Sequence, residues 1–292
     1  MKSIARMGAL LLMVVSSSVV WGADPPVDPT FLIRNVSKVA VGPSKLSTAT
    51  CTYKPLFGEG DKWAKLPRTV ARYGELTVAP SGASAVAAFA GEEQIYYVTA
   101  GSGQLVYAGA KYPLRQGDFV YLPPSVEHGV TAGAAGKLQV IWMGFRVPAD
   151  AKPLSPEKPM LANIDEVKKQ VVGNHPPSTL YQLMIGGVES TRDRIAAGVT
   201  VTSLFIMEFT PGGTNKPHHH ETEEEVYLLL DGAGQMVAGG GMDGIEGKFA
   251  AKPGDAYFYR ANTTVGFYNN PQSDAPKAHI LAVRMKMPVR RR

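Results

Sequence analysis

The chain repeats itself. Gln94-Ile95-Tyr96-Tyr97-Val98-Thr99-Ala100-Gly101-Ser102-Gly103-Gln104 aligns with Glu225-Val226-Tyr227-Leu228-Leu229-Leu230-Asp231-Gly232-Ala233-Gly234-Gln235. Further on, Leu114-Arg115-Gln116-Gly117-Asp118-Phe119-Val120-Tyr121 aligns with Ala251-Lys252-Pro253-Gly254-Asp255-Ala256-Tyr257-Phe258. The two blocks keep their order, and the second is displaced by a few more residues, which a longer hairpin around Gly239–Gly244 absorbs. Two copies of one unit in 292 residues imply two domains of like fold. Short runs rich in Val, Ile, Tyr and Phe, punctuated by 31 glycines and 22 prolines, make those units all-β.

Four further segments frame the repeats. Residues 1–22 read as a secretory signal: Lys2 and Arg6 precede an apolar stretch from Met7 to Val20, and Val20-Trp21-Gly22 suits cleavage after Gly22. The apolar stretch is shorter than the roughly 20 residues a spanning helix needs. The expectation is a periplasmic or secreted protein with no membrane attachment after cleavage. Residues 23–67, proline-rich and aperiodic, read as an extended N-terminal arm, and 68–150 as the first barrel. Residues 151–197 read as a linker with a short helix over Ile164–Val172 capped by Asn163, and 198–292 as the second barrel with a basic tail.

Charge excludes some partners. Losing residues 1–22 lowers the formal charge from +5 to +3, and much of that excess sits in Arg290-Arg291-Arg292. A frayed basic end is not the clustered face that nucleic acid requires. Cys51 is the single cysteine, so no intrachain disulfide can form and a buried thiol is expected.

One cluster carries chemistry. Within Pro217-His218-His219-His220-Glu221-Thr222-Glu223-Glu224-Glu225, extended backbone points His218 and His220 to one side and His219 to the other. Glu225, at the start of the next strand, can swing back beside them. Two imidazoles and a carboxylate on rigid strands suit one divalent transition metal such as Mn, Zn, Cu or Fe, with coordination positions left open.

The spacing of Gly212, His218, His220, Glu225 and Gly232 resembles the first conserved motif of the cupin superfamily, and Gly117, Pro123 and His128, then Gly254 and Asn269, resemble the skeleton of the second. The resemblance implies a bicupin: tandem double-stranded β-helix (jelly-roll) barrels with an extended N-terminal arm. It also implies a fourth ligand, a second-motif histidine, where this chain has Val265; Arg260 replaces the usual proline. In the first barrel the family's first-motif positions fall on Ala87, Phe89 and Gln94, and only His128 remains, which suits a structural or ligand-lining role. His279 in the last strand, or water, could supply the missing fourth ligand; alternatively His279 is a satisfied core histidine.

The pattern is similar to the (S)-ureidoglycine aminohydrolase branch of bicupins, with an incomplete first site containing Ile95-Tyr96-Tyr97-Val98 and Tyr121-Leu122-Pro123-Pro124, followed by a metal-bearing second barrel. That branch implies manganese and ammonia release, but places Gln where this chain has Val265. Export pulls toward zinc or copper instead. Three readings stay open. They are a metal-dependent hydrolase or aminohydrolase, a two-His-one-carboxylate dioxygenase, and a non-enzymatic cupin that binds a small ligand. Glu224, Tyr227 or Tyr257 are positional candidates for moving protons. A homodimer is expected through exposed strand edges or the arm.

Overall fold

The computed structural model describes residues 29–240, 246–272 and 274–288. The signal segment 1–22 and the Arg290–Arg292 tail lie outside the described residues. The first half contains β1 (Phe31–Asn35), β2 (Cys51–Gly58), β3 (Val70–Val78), β4 (Glu92–Ala100), β5 (Ser102–Tyr107), β6 (Ala110–Arg115), β7 (Asp118–Leu122), β8 (His128–Ala132) and β9 (Leu138–Arg146). The second contains β10 (Met160–Asn163), β11 (Thr179–Gly187), β12 (Ile195–Gly198), β13 (Val201–Phe209), β14 (Glu223–Asp231), β15 (Gly234–Gly239), β16 (Glu246–Ala251), β17 (Asp255–Tyr259), β18 (Thr264–Asn269) and β19 (Ala278–Lys286).

Each half folds a large sheet against a small one, a jelly-roll barrel built twice. The first barrel faces a six-stranded sheet, β10-β7-β4-β9-β3-β2, with the three-stranded β6-β5-β8. The second faces a seven-stranded sheet, β1-β17-β14-β19-β13-β11-β12, with β16-β15-β18. The fold is therefore the all-β tandem arrangement that the repeat requires.

The halves exchange strands. β1 precedes the first barrel but pairs antiparallel with β17 of the second, while β10 precedes the second and pairs with β7 of the first. The exchange is fastened identically at both ends. The Asn35 amide donates to Asp255 at 2.6 Å, and the Asn163 amide to Asp118 at 2.7 Å. Between the barrels lies a shared apolar core with Ile95, Phe119 and Phe145 from one side and Val226, Leu228 and Phe258 from the other. Burial of that surface, at about 25 cal/mol per Å², holds the barrels together.

Three sequence expectations change. Residues 51–58, read as arm, are β2 of the first barrel. Pro55 disguised this strand, yet β2 lies at the sheet edge and its register shifts between Pro55 and Phe57, the setting in which a strand tolerates proline. Residues 179–187, read as linker, are β11, which pairs with β13 inside the second sheet. The helix expected over 164–172 is a single 3-10 turn, Ile164–Glu166. Asn163 caps it by accepting from the Asp165 N–H, and Val167 already returns to extended backbone.

Cys51 is buried, and burial pushes its thiol up to about 11.

Candidate metal centre

The ligand-bearing segment enters the second barrel against β18. His218 and Val265 exchange both backbone hydrogen bonds, at 2.9 and 2.8 Å. Ala87 and His128 form the equivalent bridge in the first barrel. The four family positions are thus Ala87, Phe89, Gln94 and His128 in one barrel, and His218, His220, Glu225 and Val265 in the other. Each barrel keeps what its partner lost.

His218, His220 and Glu225 come together as expected, each offering a ligand atom, with all three atoms within 4.8 Å of one another. Three details fit a metal. The His218 Nδ1–H donates to the Lys216 carbonyl at 2.8 Å, leaving Nε2 with its lone pair free. His220 Nε2 and Glu225 Oε2 face each other at 3.4 Å. Both atoms are buried, and among the described residues neither has a hydrogen-bond partner. Burying two unpaired polar atoms costs about 1–3 kcal/mol each, a cost that a shared cation removes.

The triad opens on a cavity of about 240 Å³, also lined by His175, Tyr181, Ser203, Tyr227, Arg192 and Arg284. Arg284 stands on β19 directly across from Glu225. Its Nε is buried without a hydrogen-bond partner among the described residues, and its Nη1 lies 3.7 Å from Glu223, which in turn reaches within 3.8 Å of His220 Nδ1. Tyr227 accepts from the Asn215 amide at 2.9 Å; burial first, then the Glu225 charge, hold its phenol well above the usual value, so it stays protonated and can donate a hydrogen bond.

In the first barrel the corresponding place is filled by side chains. Trp142, aligned across β4 with Tyr96, corresponds to Ala282, aligned across β14 with Tyr227. The neighbouring pair is reversed, Gly74 beside Trp142 and Phe205 beside Ala282. Gly74 is obligatory, since a Cβ there would sit 2.2 Å from the Lys54 carbonyl and 2.7 Å from the Tyr53 ring. The Trp142 indole donates to Gln94, and the Arg72 guanidinium lies over Phe89 and Trp142, at 4.5 and 5.0 Å. Arg72, opposite Gly144, puts its charge where Arg284, opposite Ser203, puts its own in the second barrel. His128 is held by Tyr96 at 2.8 Å and stacks on Phe89; burial first, then Arg72, depress its pKa to about 3. Its Nε2 is buried with no hydrogen-bond partner among the described residues, but Ala87, Phe89 and Gln94 at the neighbouring family positions give it no co-ligand.

Three positional candidates move away from the site. His279 does not approach the triad: it lies between Asp231 and Glu208, at 2.7 and 3.0 Å, on the side of β19 that alternation turns away from the cavity. Glu224 points between the barrels and accepts from the backbone of Arg68 and Thr69, so it cannot serve the cavity. Tyr257 stacks on Tyr259 and does not line the cavity. His175 and Arg284 were the residues missed. Arg284 lies outside the repeated blocks and carries no motif, and only the strand register sets it beside Glu225. His175, in a proline-flanked stretch, carries no motif.

The cupin domain model matches residues 74–144 and 205–283, together more than half of the chain. The chain belongs to the cupin family. No curated protein sequence matches this cupin. Solved structures do. A Pseudomonas aeruginosa protein assigned as glyoxylate-induced superposes with a TM-score of 0.70 at 14% identity, over 93% of this chain and 96% of its own. An oxalate decarboxylase from Lactobacillus farciminis, in a formate complex, gives 0.64 at 12%, over 91% and 88%. A Bacillus subtilis oxalate decarboxylase with Mn(II) centres gives 0.64 at 12%, over 91% and 80%. At these identities the likeness establishes a bicupin fold shared by this chain.

Proposed function

We propose that the second barrel is a divalent-metal centre, held by His218, His220 and Glu225, that acts on a small carboxylate-bearing molecule as a hydrolase or aminohydrolase. One observation carries the metal: His220 Nε2 and Glu225 Oε2 are buried and face each other, with no hydrogen bond to either among the described residues. Such an ion supplies Lewis acidity, polarising a carbonyl or amidine carbon and acidifying water. The chain's own groups do the rest. Arg284, with Arg192 at the rim, offers a cationic wall beside Glu225 for a substrate anion, and the Tyr227 hydroxyl offers a hydrogen-bond donor. A cavity of about 240 Å³ suits a small molecule, since a cavity of about 150 Å³ already holds a benzene-sized one. Oxalate and glyoxylate, in the names of the similar structures, are molecules of that class.

Two histidines and one carboxylate on one face of a cavity also suit a dioxygenase. Mn is the ion named for one similar structure; export, which residues 1–22 suggest, would favour Zn or Cu.

The test is elemental analysis of the purified protein beside Glu225→Gln and His220→Ala. Stoichiometric metal in the wild type and its loss in both variants is the expected result. Equal metal in all three would overturn the assignment. Ammonia release from small carboxylates with a C–N bond, against O2 uptake, then separates the two chemistries.

A further inference from the structure

We propose that His175 is the fourth protein ligand of this centre, supplied from outside the cupin motifs in place of the histidine that Val265 replaced. The inference rests on the three-ligand reading above and goes beyond it.

The fourth family position is closed to coordination. Val265 is buried hydrocarbon, pinned to His218 by two backbone hydrogen bonds. The chain has six histidines; His218 and His220 belong to the triad, and three of the other four do not reach the cavity. His128 is in the first barrel, His219 is exposed, and His279 is shared between Asp231 and Glu208. His175 alone adds an imidazole to the wall of the triad's cavity.

Its orientation is that of a ligand. His175 Nδ1–H donates to the Asn215 carbonyl at 3.1 Å, just as His218 Nδ1–H donates to the carbonyl of Lys216, the next residue along. Fixing one ring nitrogen on a backbone carbonyl, with the other left as a donor, is how metal-binding histidines are oriented. The rings also pack in series: His218 meets His220 edge-on at 5.0 Å, and His175 meets His218 edge-on at 5.9 Å. Tyr181, on the other side at 5.2 Å, holds the His175 ring against the cavity.

His175 is not among the three residues whose ligand atoms lie within 4.8 Å of one another, so coordination requires its turn to close. The turn is built for that. The His175 N–H bonds back to the Val172 carbonyl, and Gly173, at φ +57°, has open space around it. Pro176 and Pro177 stiffen the return to β11. A shift of this turn about Gly173, pivoting on the Nδ1 bond to Asn215, would carry Nε2 toward the triad.

The test uses the full-length protein loaded with Cu(II), and pulsed EPR to count coupled imidazoles. Three in the wild type and two in His175→Ala are expected, with Zn(II) affinity, measured against a chromophoric chelator, falling in the variant by at least the roughly 10- to 100-fold that loss of a hydrogen-bonding partner of a ligand causes. Two imidazoles in the wild type, or unchanged Zn(II) affinity in His175→Ala, would overturn the assignment of His175. His218→Ala and His220→Ala separate the two readings: if they too leave affinity unchanged, the three-ligand centre itself is wrong. If they abolish it while His175→Ala does not, only the fourth ligand is.

Discussion

Glu93 and Glu224 occupy the same place in the two halves, and each reaches out of its own barrel to hold the backbone that leads into a strand of the other, β13 for Glu93 and β3 for Glu224. Glu93 accepts from the N–H groups of Val199, Thr200 and Val201, at 2.7–2.8 Å, and from the Tyr121 hydroxyl at 3.0 Å. Glu224 accepts from the N–H groups of Arg68 and Thr69 and from the Thr69 hydroxyl. Burial pushes the Glu93 carboxyl up while its four donors pull it down. An amide in either place would turn N–H toward N–H. Glu224→Gln and Glu93→Gln should each cost about 2–3 kcal/mol in urea unfolding, because buried donors lose their acceptor. Since both clamp one interface, the double variant should depart from additivity. Strict additivity would show that the barrels are not coupled through these carboxylates.

His128 makes stability depend on pH. Its folded pKa, about 3, lies below the 6.5 of a free histidine. Between those values the unfolded chain takes up a proton that the folded chain refuses, so stability is full above about pH 6.5 and falls as pH drops. For one proton the slope is about 1.4 kcal/mol per pH unit. His128→Gln lacks that proton uptake, and its unfolding free energy should fall less steeply from pH 6 to 4. Parallel curves for the two proteins would show that His128 is not buried neutral.

Arg284 should decide the charge of what enters the cavity. Arg284→Gln removes the guanidinium opposite Glu225 without touching a proposed ligand. Metal content should hold, while affinity for small carboxylates falls roughly 10- to 100-fold, the worth of one charge-assisted hydrogen bond of about 1.5–3 kcal/mol. Binding calorimetry with oxalate as the probe checks this. Equal oxalate affinity in both proteins would remove Arg284 from recognition.

His279 tests what the sequence could and could not convey. The duplication was legible because two blocks agreed in order, and the triad was legible because ligand spacing on extended backbone is a local property. The fourth-ligand question was not local. Nothing near His279 in sequence says that Glu208, on the neighbouring strand, accepts its proton. Nor does anything say that this carboxyl, which burial alone would raise, is held down at about 2 by Lys169, Lys277 and His279. The strand exchange of β1 and β10 was hidden for the same reason, since it depends on which of two similar sheets a short strand joins. His279→Ala should leave metal content unchanged and, in this half-exposed network, cost no more than about 1 kcal/mol. Loss of metal in His279→Ala would return it to the site.

The exchange of bulk between Trp142 and Ala282 fills in one barrel the place that is open in the other, and it can be tested from both sides. Trp142→Ala deletes a fully buried side chain and leaves the Gln94 carbonyl without its indole donor. It should cost about 3–5 kcal/mol, at the upper end because Gly74 beside it cannot grow to fill the space. In the second barrel, Ala282→Leu adds volume between Phe205 and Tyr227, both of which line the cavity. Overpacking should cost about 1–3 kcal/mol. Oxalate binding should weaken more than metal binding, because the added methyls displace substrate space while His218, His220 and Glu225 stay on their strands. A variant that keeps oxalate affinity but loses metal would place the substrate elsewhere and the ion against β19.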